Sequence, residues 1–473
     1  MAGYKICDRV DLLLSIEKLI YGGDGLARTP AGADGRSMAV FVPFVLPGEQ
    51  VEASVLKEKS GFARGAVTKL IEASPDRIAA RCPYFRQCGG CHYQHIPYER
   101  QLEFKAAILR ETLQRVGKIE LQSEISVHAS PPWNYRNRTR LQVQTAPKFA
   151  LGYFRFASHE FLPVRECPIS SPLINRVMAR LLELGGLDCP AGVEEIELFA
   201  DAADERLLGW AFCESSTDRS FDRPANKNEL LRWAEAVERE VPQIAGLTFF
   251  AGRRRASPGK AKPEQAKPDA ALDRDVLFEQ KPLAQSGTKS IRYATKNHAY
   301  QVSAGSFFQV NRHLIDELVS VVTGNARGEV GLDLYAGVGL FSAVLAENFH
   351  HILGVEASQT AHDDFQHNVA GNVKAVAARA DEYLRSESLR SGPVRKRPDL
   401  VVLDPPRAGV GKAGIRSLVA LGAPRIRYVS CDPATLARDL GPLLAAGYHI
   451  EEAHLFDLFP QTFHIESVIL LTR

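Results

Sequence analysis

Short apolar runs separated by glycine-rich turns dominate the N-terminal part of the chain. The runs lie at Leu12–Leu19, Met38–Val42, Gln50–Lys57 and Gly65–Ile71. Strands of this length and spacing predict a small β-barrel of the OB type. We therefore expect a barrel domain over residues 1–73, a fold that often binds RNA, although fold alone does not decide function.

The middle of the chain mixes strand and helix patterns, which predicts a central α+β domain over residues 74–300. The predicted strands are Thr139–Gln144, Leu151–Phe156, Glu194–Phe199 and Arg206–Phe212, and the predicted helices are 95–117, Pro172–Leu184 and Asn226–Glu240. Residues 253–273 are poor in large apolar residues and rich in Lys, Arg, Pro and Ala. This composition predicts a mobile basic insert, either a solvated linker or an RNA-contacting tail.

Beyond residue 305 the pattern becomes strand, short loop and helix. The apolar runs have the length of buried parallel strands: Val330–Leu334, Ile352–Val355, Leu400–Leu403 and Ile426–Val429. Helical patterns separate most of them, at 311–324, 340–349, 358–370, 412–421 and 433–446. The alternation predicts a doubly wound, Rossmann-like α/β domain over residues 301–473.

Composition indicates a soluble globular protein, with 45% hydrophobic and 24% charged residues and a net charge of +2. Overall charge therefore does not indicate a nucleic-acid binder, but local clusters do suggest one. The basic clusters are Arg136, Arg138 and Arg140 on one strand, and Lys57, Lys59, Arg64 and Lys69 in the barrel. They are either phosphate contacts or ordinary solvated strand faces.

The sequence shows neither a signal peptide nor the roughly 18 consecutive apolar residues of a membrane span. We therefore expect a cytoplasmic protein, without membrane association, that acts as a monomer. Eight cysteines in such a chain point to metal binding or catalysis rather than to disulfides.

A glycine loop after the first α/β strand predicts a nucleoside-containing cofactor. Residues 333–339 read DLYAGVG, and Gly337 would let a ligand approach the backbone at a helix N-terminus. The second strand ends in Glu356, whose carboxylate can accept both hydroxyls of a ribose. Ser342 occupies the place of the third glycine of a nicotinamide fingerprint. Asp381 follows at a spacing suited to an adenine amino group, and an α/β domain without this cofactor is the alternative.

Two further motifs directly follow apolar strands, DPPR at 404–407 and SCDP at 430–433. Both should therefore lie at the carboxyl edge of the sheet, beside the glycine loop. The dipole of the helix that begins after Cys431 is expected to favour its thiolate. The charge of Asp432 would raise the thiol pKa, and a buried structural thiol remains the alternative.

The chain resembles the RNA uracil-5-methyltransferases. The ordered blocks that carry the resemblance are SFFQVN (306–311), DLYAGVGLF (333–341), DPPRAG (404–409), VSCDP (429–433) and HIES (464–467). The N-terminal barrel resembles a TRAM domain, and CPYFRQCGGCHYQH (82–95) is similar to the iron–sulfur branch of the family.

The resemblance implies S-adenosylmethionine as methyl donor and RNA as substrate, with ribosomal RNA favoured and transfer RNA open. The implied cofactor residues are Gln309, Tyr335, Gly337, Glu356, Asp381 and Asp404. Cys431 would add to C6 of a uridine, and Glu466 would remove the C5 proton. The chain departs from the family at Ala336, Leu340 and Asp432, none of which removes a reacting group.

Four cysteines predict a metal site. Cys82, Cys88 and Cys91 are closely spaced, and Cys167 can supply a fourth thiolate. Four thiolates suit zinc or an iron–sulfur cluster equally well by spacing. The resemblance implies a [4Fe–4S] cluster.

Two other functions remain open. The DPP motif is also found in amino-group methyltransferases of adenine or guanine, but these usually carry an aromatic residue where this chain has Arg407. A noncatalytic RNA-binding or assembly factor is the other alternative, against which the retention of Cys431 and Glu466 counts.

Overall fold

The computed structural model describes residues 11–30, 37–59, 61–213, 226–252, 281–386 and 397–473. The predicted basic insert at 253–273 lies outside the described residues. Among the described helices, none is long and apolar enough to cross a membrane.

The N-terminal segment forms a six-stranded sheet in the order β1-β5-β6-β4-β3-β2. Its strands are β1 Asp11–Ser15, β2 Lys18–Leu19, β3 Asp24–Arg28, β4 Ala39–Pro43, β5 Gln50–Lys59 and β6 Phe62–Glu72. Alternate residues such as Val40, Val42 and Val51 point into the core, as the period of a strand requires. The predicted strand Leu12–Leu19 is broken at Ile16, where the chain leaves its pairing with β5, and β3 was not predicted.

The central segment forms a seven-stranded sheet in the order β10-β9-β8-β11-β12-β13-β14. Its strands are β8 Arg138–Gln144, β9 Ala150–Phe154, β10 Phe161–Pro163, β11 Val193–Ala200, β12 Leu207–Cys213, β13 Ile244–Ala251 and β14 Ala284–Gly287. Helices Pro172–Glu183 and Lys227–Glu240 cover one face, and their apolar residues share a core with the sheet. A third helix, α1 (Tyr98–Gly117), packs elsewhere, against the C-terminal part of the chain.

The basic strand predicted as a phosphate contact is mostly internal. Arg138 and Arg140 both pair with Glu197, and their guanidinium groups lie 4.6 Å and 4.8 Å from the ring centroids of Trp210 and Phe212. Burial acts to raise the pKa of Glu197, but the two arginines hold it at about 2. Arg138 and Arg140 therefore already share a carboxylate partner inside the sheet, which makes them weaker candidates for phosphate contact than unpaired cations would be.

The C-terminal segment contains an eight-stranded sheet in the order β19-β18-β17-β20-β21-β23-β22-β7. Its strands are β17 Gly328–Leu334, β18 Phe349–Glu356, β19 Val373–Ala377, β20 Leu400–Leu403, β21 Arg425–Ser430, β22 His449–Phe456, β23 Glu466–Thr472 and β7 Ile125–His128. Strands β17 to β21 pair in parallel, and β23 is antiparallel to both β21 and β22. The strand order reverses between β17 and β20, so the ligand crevice of such a sheet lies at their carboxyl ends.

Helices flank this sheet as the doubly wound prediction requires. They are Ile315–Thr323, Leu340–Leu345, Gln359–Asn368, Ala380–Arg385, Gly411–Leu421 and Pro433–Ala445. A two-stranded sheet of β15 (Ser290–Ala294) and β16 (Ala299–Ser303) precedes them. Strand β7, which lies within residues 74–300, pairs in parallel with β22 of this eight-stranded sheet.

The barrel is packed directly against the rest of the chain. Leu19 and Leu46 belong to the same buried cluster as Leu109 of α1 and Leu403 of β20. The fully buried carboxylate of Glu49 also accepts hydrogen bonds from Arg77, which follows the barrel. The barrel and the α/β segment therefore share one continuous core.

Candidate active site

The glycine loop and Glu356 form an open polar cradle. Glu356 Oε2 accepts a hydrogen bond from the Gly337 amide (2.8 Å), and Oε1 accepts one from the Ser358 amide (2.7 Å). Burial raises the pKa of Glu356 even though these donors oppose the shift. Gly337 has φ +57°, and a Cβ added there would meet no atom within 4 Å. The space before the loop and the fixed carboxylate fit the ribose of a nucleoside cofactor.

Asp333 and Ser342 lie directly beneath this loop. The Ser342 hydroxyl donates to Asp333 Oδ2 (2.6 Å), while the buried Oδ1 has no hydrogen-bond partner. Burial, with a smaller contribution from Glu356, raises the pKa of Asp333 to about 7. Ser342 occupies the place of a glycine in the nicotinamide fingerprint, and here its hydroxyl links the helix after the glycine loop to Asp333 of β17.

Gln309 and Asp404 meet on the same rim of the sheet. Gln309 Nε2 donates to Asp404 Oδ2 at 3.4 Å, and the Asp404 amide donates to the carbonyl of Leu334 at 3.4 Å. Tyr335 follows Leu334 with φ +66°, a left-handed conformation that turns the chain out of β17. Three of the predicted cofactor residues, Gln309, Tyr335 and Asp404, therefore surround the end of one strand.

Asp381 is placed differently from the other predicted cofactor residues. It lies in the first turn of the helix Ala380–Arg385, with 36% of its side chain exposed. Its carboxylate pairs with Arg379 (3.2 Å) and Arg385 (2.8 Å). Contact with an adenine amino group would therefore have to compete with two surface ion pairs.

Cys431 and Glu466 lie near each other where two paired strands meet the sheet edge. Ser430, the last residue of β21, pairs with Ser467 of β23, so Cys431 directly follows one paired residue and Glu466 directly precedes the other. Glu466 is only 6% exposed. Its charge raises the pKa of the Cys431 thiol, second only to burial. The thiol and the carboxylate are thus electrostatically coupled at the carboxyl edge of the sheet.

Burial and nearby charges determine the pKa of the Cys431 thiol. After burial and Glu466, Asp404 and Asp432 also raise this pKa, whereas Arg407 lowers it. The net effect opposes the thiolate that the helix dipole was expected to favour. Asp432 is the N-cap of the helix and accepts from the amides of Ala434 and Thr435 at 3.0 Å and 2.8 Å. The amides of Ala434 and Thr435 are therefore already bound to Asp432. The charge of Asp432 raises the thiol pKa, as the sequence predicted.

Three further side chains near Cys431 had no role predicted from the sequence. Arg407 Nη2 lies 3.3 Å from His464 Nδ1, and both residues belong to motif blocks quoted for the family resemblance. The Tyr21 hydroxyl donates to the carbonyl of Cys431 at 3.3 Å. Tyr21 comes from a glycine turn of the barrel, where no pattern in the sequence indicates proximity to the catalytic sheet.

The loop before Glu466 is anchored by other parts of the chain. Gln101 of α1 exchanges two hydrogen bonds with Gln461, each of 3.0 Å. Lys105 and Asp457 form a fully buried ion pair of 2.6 Å. The Tyr93 amide, two residues after Cys91, donates to the Gln461 carbonyl at 3.0 Å. The position of the loop therefore depends on α1 and on the cysteine-rich segment.

Cys82, Cys88, Cys91 and Cys167 lie near one another but do not form a ready-made metal site. All six pairs among the four thiols interact electrostatically. Burial raises the pKa of Cys88 to about 12, with an opposing hydrogen bond from the Gly90 amide and smaller contributions from Cys167 and Cys82 in the same direction as burial. Within the described ranges, no group of three or more His, Cys, Asp or Glu side chains is arranged to hold a metal ion.

The comparisons with known proteins agree with this geometry. A family model described as tRNA (Uracil-5-)-methyltransferase matches residues 273–473, and a TRAM domain model matches residues 11–68. The chain is 33% identical to an uncharacterized RNA methyltransferase of Aquifex aeolicus, over 97% of this chain and 98% of that protein. It is also 33% identical to the 23S rRNA (uracil(1939)-C(5))-methyltransferase RlmD of Halomonas elongata, over 97% and 89% of the two chains.

A solved structure supports the fold over almost the whole chain. The Pyrococcus abyssi tRNA (uracil-54, C5)-methyltransferase in complex with S-adenosyl-L-homocysteine superposes with a TM-score of 0.68. The match covers 98% of this chain and 100% of that chain at 24% identity. The barrel, the central sheet and the catalytic sheet therefore form an arrangement already seen in a solved protein.

Proposed function

Because the chain belongs to the RNA uracil-5-methyltransferase family, we propose that it methylates C5 of a specific uridine through a covalent bond between Cys431 and C6. The observation that carries this proposal is the electrostatic interaction of Glu466 with Cys431, two residues that adjoin the paired ends of β21 and β23. Asp404 acts electrostatically on the same thiol. A nucleophile, a carboxylate base and a cofactor cradle on one rim are what this reaction requires.

S-adenosylmethionine supplies an electrophilic methyl group when it is bound. We assign its binding to Gln309, Tyr335, Gly337, Glu356, Asp381 and Asp404. The open space at Gly337 and the twice hydrogen-bonded carboxylate of Glu356 support a ribose at that position. Gln309 donates a hydrogen bond to Asp404, and Asp404 also acts electrostatically on Cys431. The ion-paired Asp381 has the weakest support of the six.

Each catalytic residue then has one task. After its thiol has lost a proton, Cys431 adds to C6 of the uracil, and the ring becomes an enolate whose C5 takes the methyl group as the bond between that group and the donor sulfur breaks. Glu466 next accepts the proton from C5, the C5–C6 double bond re-forms, and the bond between Cys431 and C6 breaks. The uracil must leave its stack to reach the thiol.

The adduct expected at each stage tests the two roles separately. Cys431→Ala removes the nucleophile, so no protein–RNA bond can form. Glu466→Gln leaves addition and methyl transfer possible but removes the base, so a methylated adduct should accumulate and survive denaturing electrophoresis. Glu451→Gln is the matched control, because Glu451 is an exposed carboxylate on β22. This variant should turn over without accumulating an adduct. Normal turnover of Glu466→Gln without an adduct would assign the base to another group.

We propose ribosomal RNA as the substrate, with transfer RNA as the alternative. Support for ribosomal RNA comes from the RlmD relative, whose name specifies 23S rRNA. The alternative is kept open because the similar solved structure is that of a tRNA methyltransferase. The barrel over residues 1–73 would bind RNA through its exposed lysines, the central domain over 74–300 would hold the cysteine segment, and residues 301–473 would carry catalysis. Mapping 5-methyluridine in both RNA classes from a deletion strain distinguishes the two substrates.

We further propose that Cys82, Cys88, Cys91 and Cys167 bind a [4Fe–4S] cluster. Four thiols that all interact with one another are a soft donor set of the right number. The thiols must lose their protons and reorient to converge on the metal, since the described residues hold no preformed metal group. Methyl transfer needs no electron, so we assign the cluster a structural role.

Metal analysis of anaerobically purified protein tests this assignment. Cys88→Ser should lose iron and colour, whereas Cys189→Ser, at a cysteine outside the four, should keep both. Stoichiometric zinc in the wild-type protein would show that the four cysteines bind zinc and not an iron–sulfur cluster.

A further inference from the structure

We propose that His464 is a positioning residue for the nucleophile: as a neutral imidazole it accepts a hydrogen bond from Arg407 and holds the guanidinium beside Cys431, where the positive charge stabilises the thiolate. This inference rests on the proposed role of Cys431 as nucleophile. It assigns a function to a histidine that does not itself react.

The contact between the two side chains fixes the tautomer of His464. Arg407 Nη2 lies 3.3 Å from His464 Nδ1. A guanidinium has only donors and stays protonated, so Nδ1 must be the acceptor and any proton on a neutral ring must be on Nε2. An imidazolium would instead set two donors and two positive charges against each other.

The surroundings of His464 keep its ring neutral. The ring packs 4.3 Å from the ring of Phe463 and 5.4 Å from that of Phe459, measured between centroids. Burial is the largest effect that lowers the pKa of His464 well below its usual value. Basic side chains from the surrounding segments act in the same direction: Arg407 after β20, His92 of the cysteine segment, Lys105 of α1 and Arg136 before β8.

Arg407 is the cation that opposes the acidic surroundings of Cys431. Glu466, Asp404 and Asp432 all raise the pKa of this thiol, whereas Arg407 lowers it. The backbone of Arg407 is also tied to the helix after Cys431, because its carbonyl accepts from the Thr435 hydroxyl at 3.0 Å. His464 therefore contacts the guanidinium of a residue whose backbone carbonyl is bonded to the helix after Cys431.

The pH dependence of Cys431 alkylation measures this effect directly. Full-length protein without RNA or S-adenosylmethionine is treated with iodoacetamide, and the modified peptide 428–438, which contains Cys431 as its only cysteine, is quantified by mass spectrometry. His464→Leu and His464→Asn are nearly isosteric, but only Asn retains an acceptor at the position of Nδ1. Arg407→Met removes the cation itself.

We expect His464→Leu to slow alkylation about tenfold at pH 8 and to displace the rising limb of the pH–rate profile by about one pH unit, because a rise of one unit in the thiol pKa lowers the thiolate fraction about tenfold. His464→Asn should stay within about twofold of wild type, and Arg407→Met should slow the reaction at least as much as His464→Leu. The double variant should be no slower than Arg407→Met alone.

Two results would overturn the proposal. Wild-type profiles in both His464 variants would show that the histidine does not influence the thiol, and equal slowing in both would assign its role to ring packing. The assay contains no RNA and no methyl donor, so it is independent of methylation. If the adduct experiment failed while the profile shifted, the proposed reaction would be wrong and this positioning role would stand.

Discussion

Replacing Glu356 with Gln should weaken S-adenosylmethionine binding by a predictable amount. The carboxylate accepts one backbone hydrogen bond on each oxygen, from Gly337 at 2.8 Å and from Ser358 at 2.7 Å. A glutamine side chain has one acceptor oxygen, so its amide NH₂ would face one of these donors. The variant loses a charge-assisted hydrogen bond within the loop and the anionic acceptor for the ribose. Losses of this kind cost about 1.5–3 kcal/mol, which corresponds to a Kd raised roughly 10–150-fold.

Isothermal titration calorimetry of the full-length protein measures this change. Asp363→Asn is the control, because Asp363 is an exposed carboxylate on the helix that follows Glu356. Since burial raises the pKa of Glu356, wild-type affinity should fall at a less acidic pH than an ordinary carboxyl would give, and Glu356→Gln should lose this dependence. A folded Glu356→Gln protein with affinity within twofold of wild type would remove Glu356 from the cofactor site.

Three further predictions concern RNA, the thiol and stability. The exposed lysines of the barrel sheet are Lys57, Lys59 and Lys69. Changing all three to Ala should weaken RNA binding and reduce the slope of log K against log salt by about 0.7–0.9 for each phosphate that is no longer neutralised. Filter-binding titrations at several salt concentrations measure this slope, and an unchanged slope would show that RNA binds elsewhere. Asp432→Asn keeps the helix cap but removes a charge that raises the pKa of Cys431, so alkylation of this thiol should become faster, and slower alkylation would contradict the electrostatic account. Lys105→Met leaves Asp457 buried without its partner and should lower the free energy of unfolding by about 3–5 kcal/mol, which denaturant unfolding would detect and a loss below about 1 kcal/mol would refute.

The central strands of the catalytic sheet, β17, β20 and β21, were predictable because most of their residues are buried on both faces. A continuous apolar run such as Leu400–Leu403 is recognisable without any knowledge of its neighbours, and the structure gives that strand the same limits. Strand β3 (Asp24–Arg28) was missed because it follows a glycine turn and carries charged residues at both ends. Strand β7 was missed because its pattern of exposure does not alternate and its pairing with β22 is remote in sequence.

Charged residues were harder to interpret than apolar ones, because a sequence does not show which charges are already paired. Arg138 and Arg140 were candidate phosphate ligands in the sequence. In the structure both form ion pairs with Glu197, which is remote along the chain. The same limit affected Cys431, whose thiol pKa depends, after burial, most on Glu466 and Asp404, which belong to other parts of the chain. Motif blocks therefore predicted which residues meet, while the sign of the electrostatic effect required the assembled structure.

The packing of the barrel determines how its role in RNA binding can be tested. Deleting residues 1–72 would remove Leu19 and Leu46 from a core shared with the catalytic sheet and would leave the partners of Glu49 uncovered. It would also remove Tyr21, which bonds to the carbonyl of Cys431 and lies 5.7 Å from Phe463 between ring centroids. Loss of cofactor binding after such a deletion would follow from a damaged core and would say nothing about RNA. Substitutions of exposed barrel lysines leave these contacts intact, so only they can separate RNA affinity from the integrity of the active site.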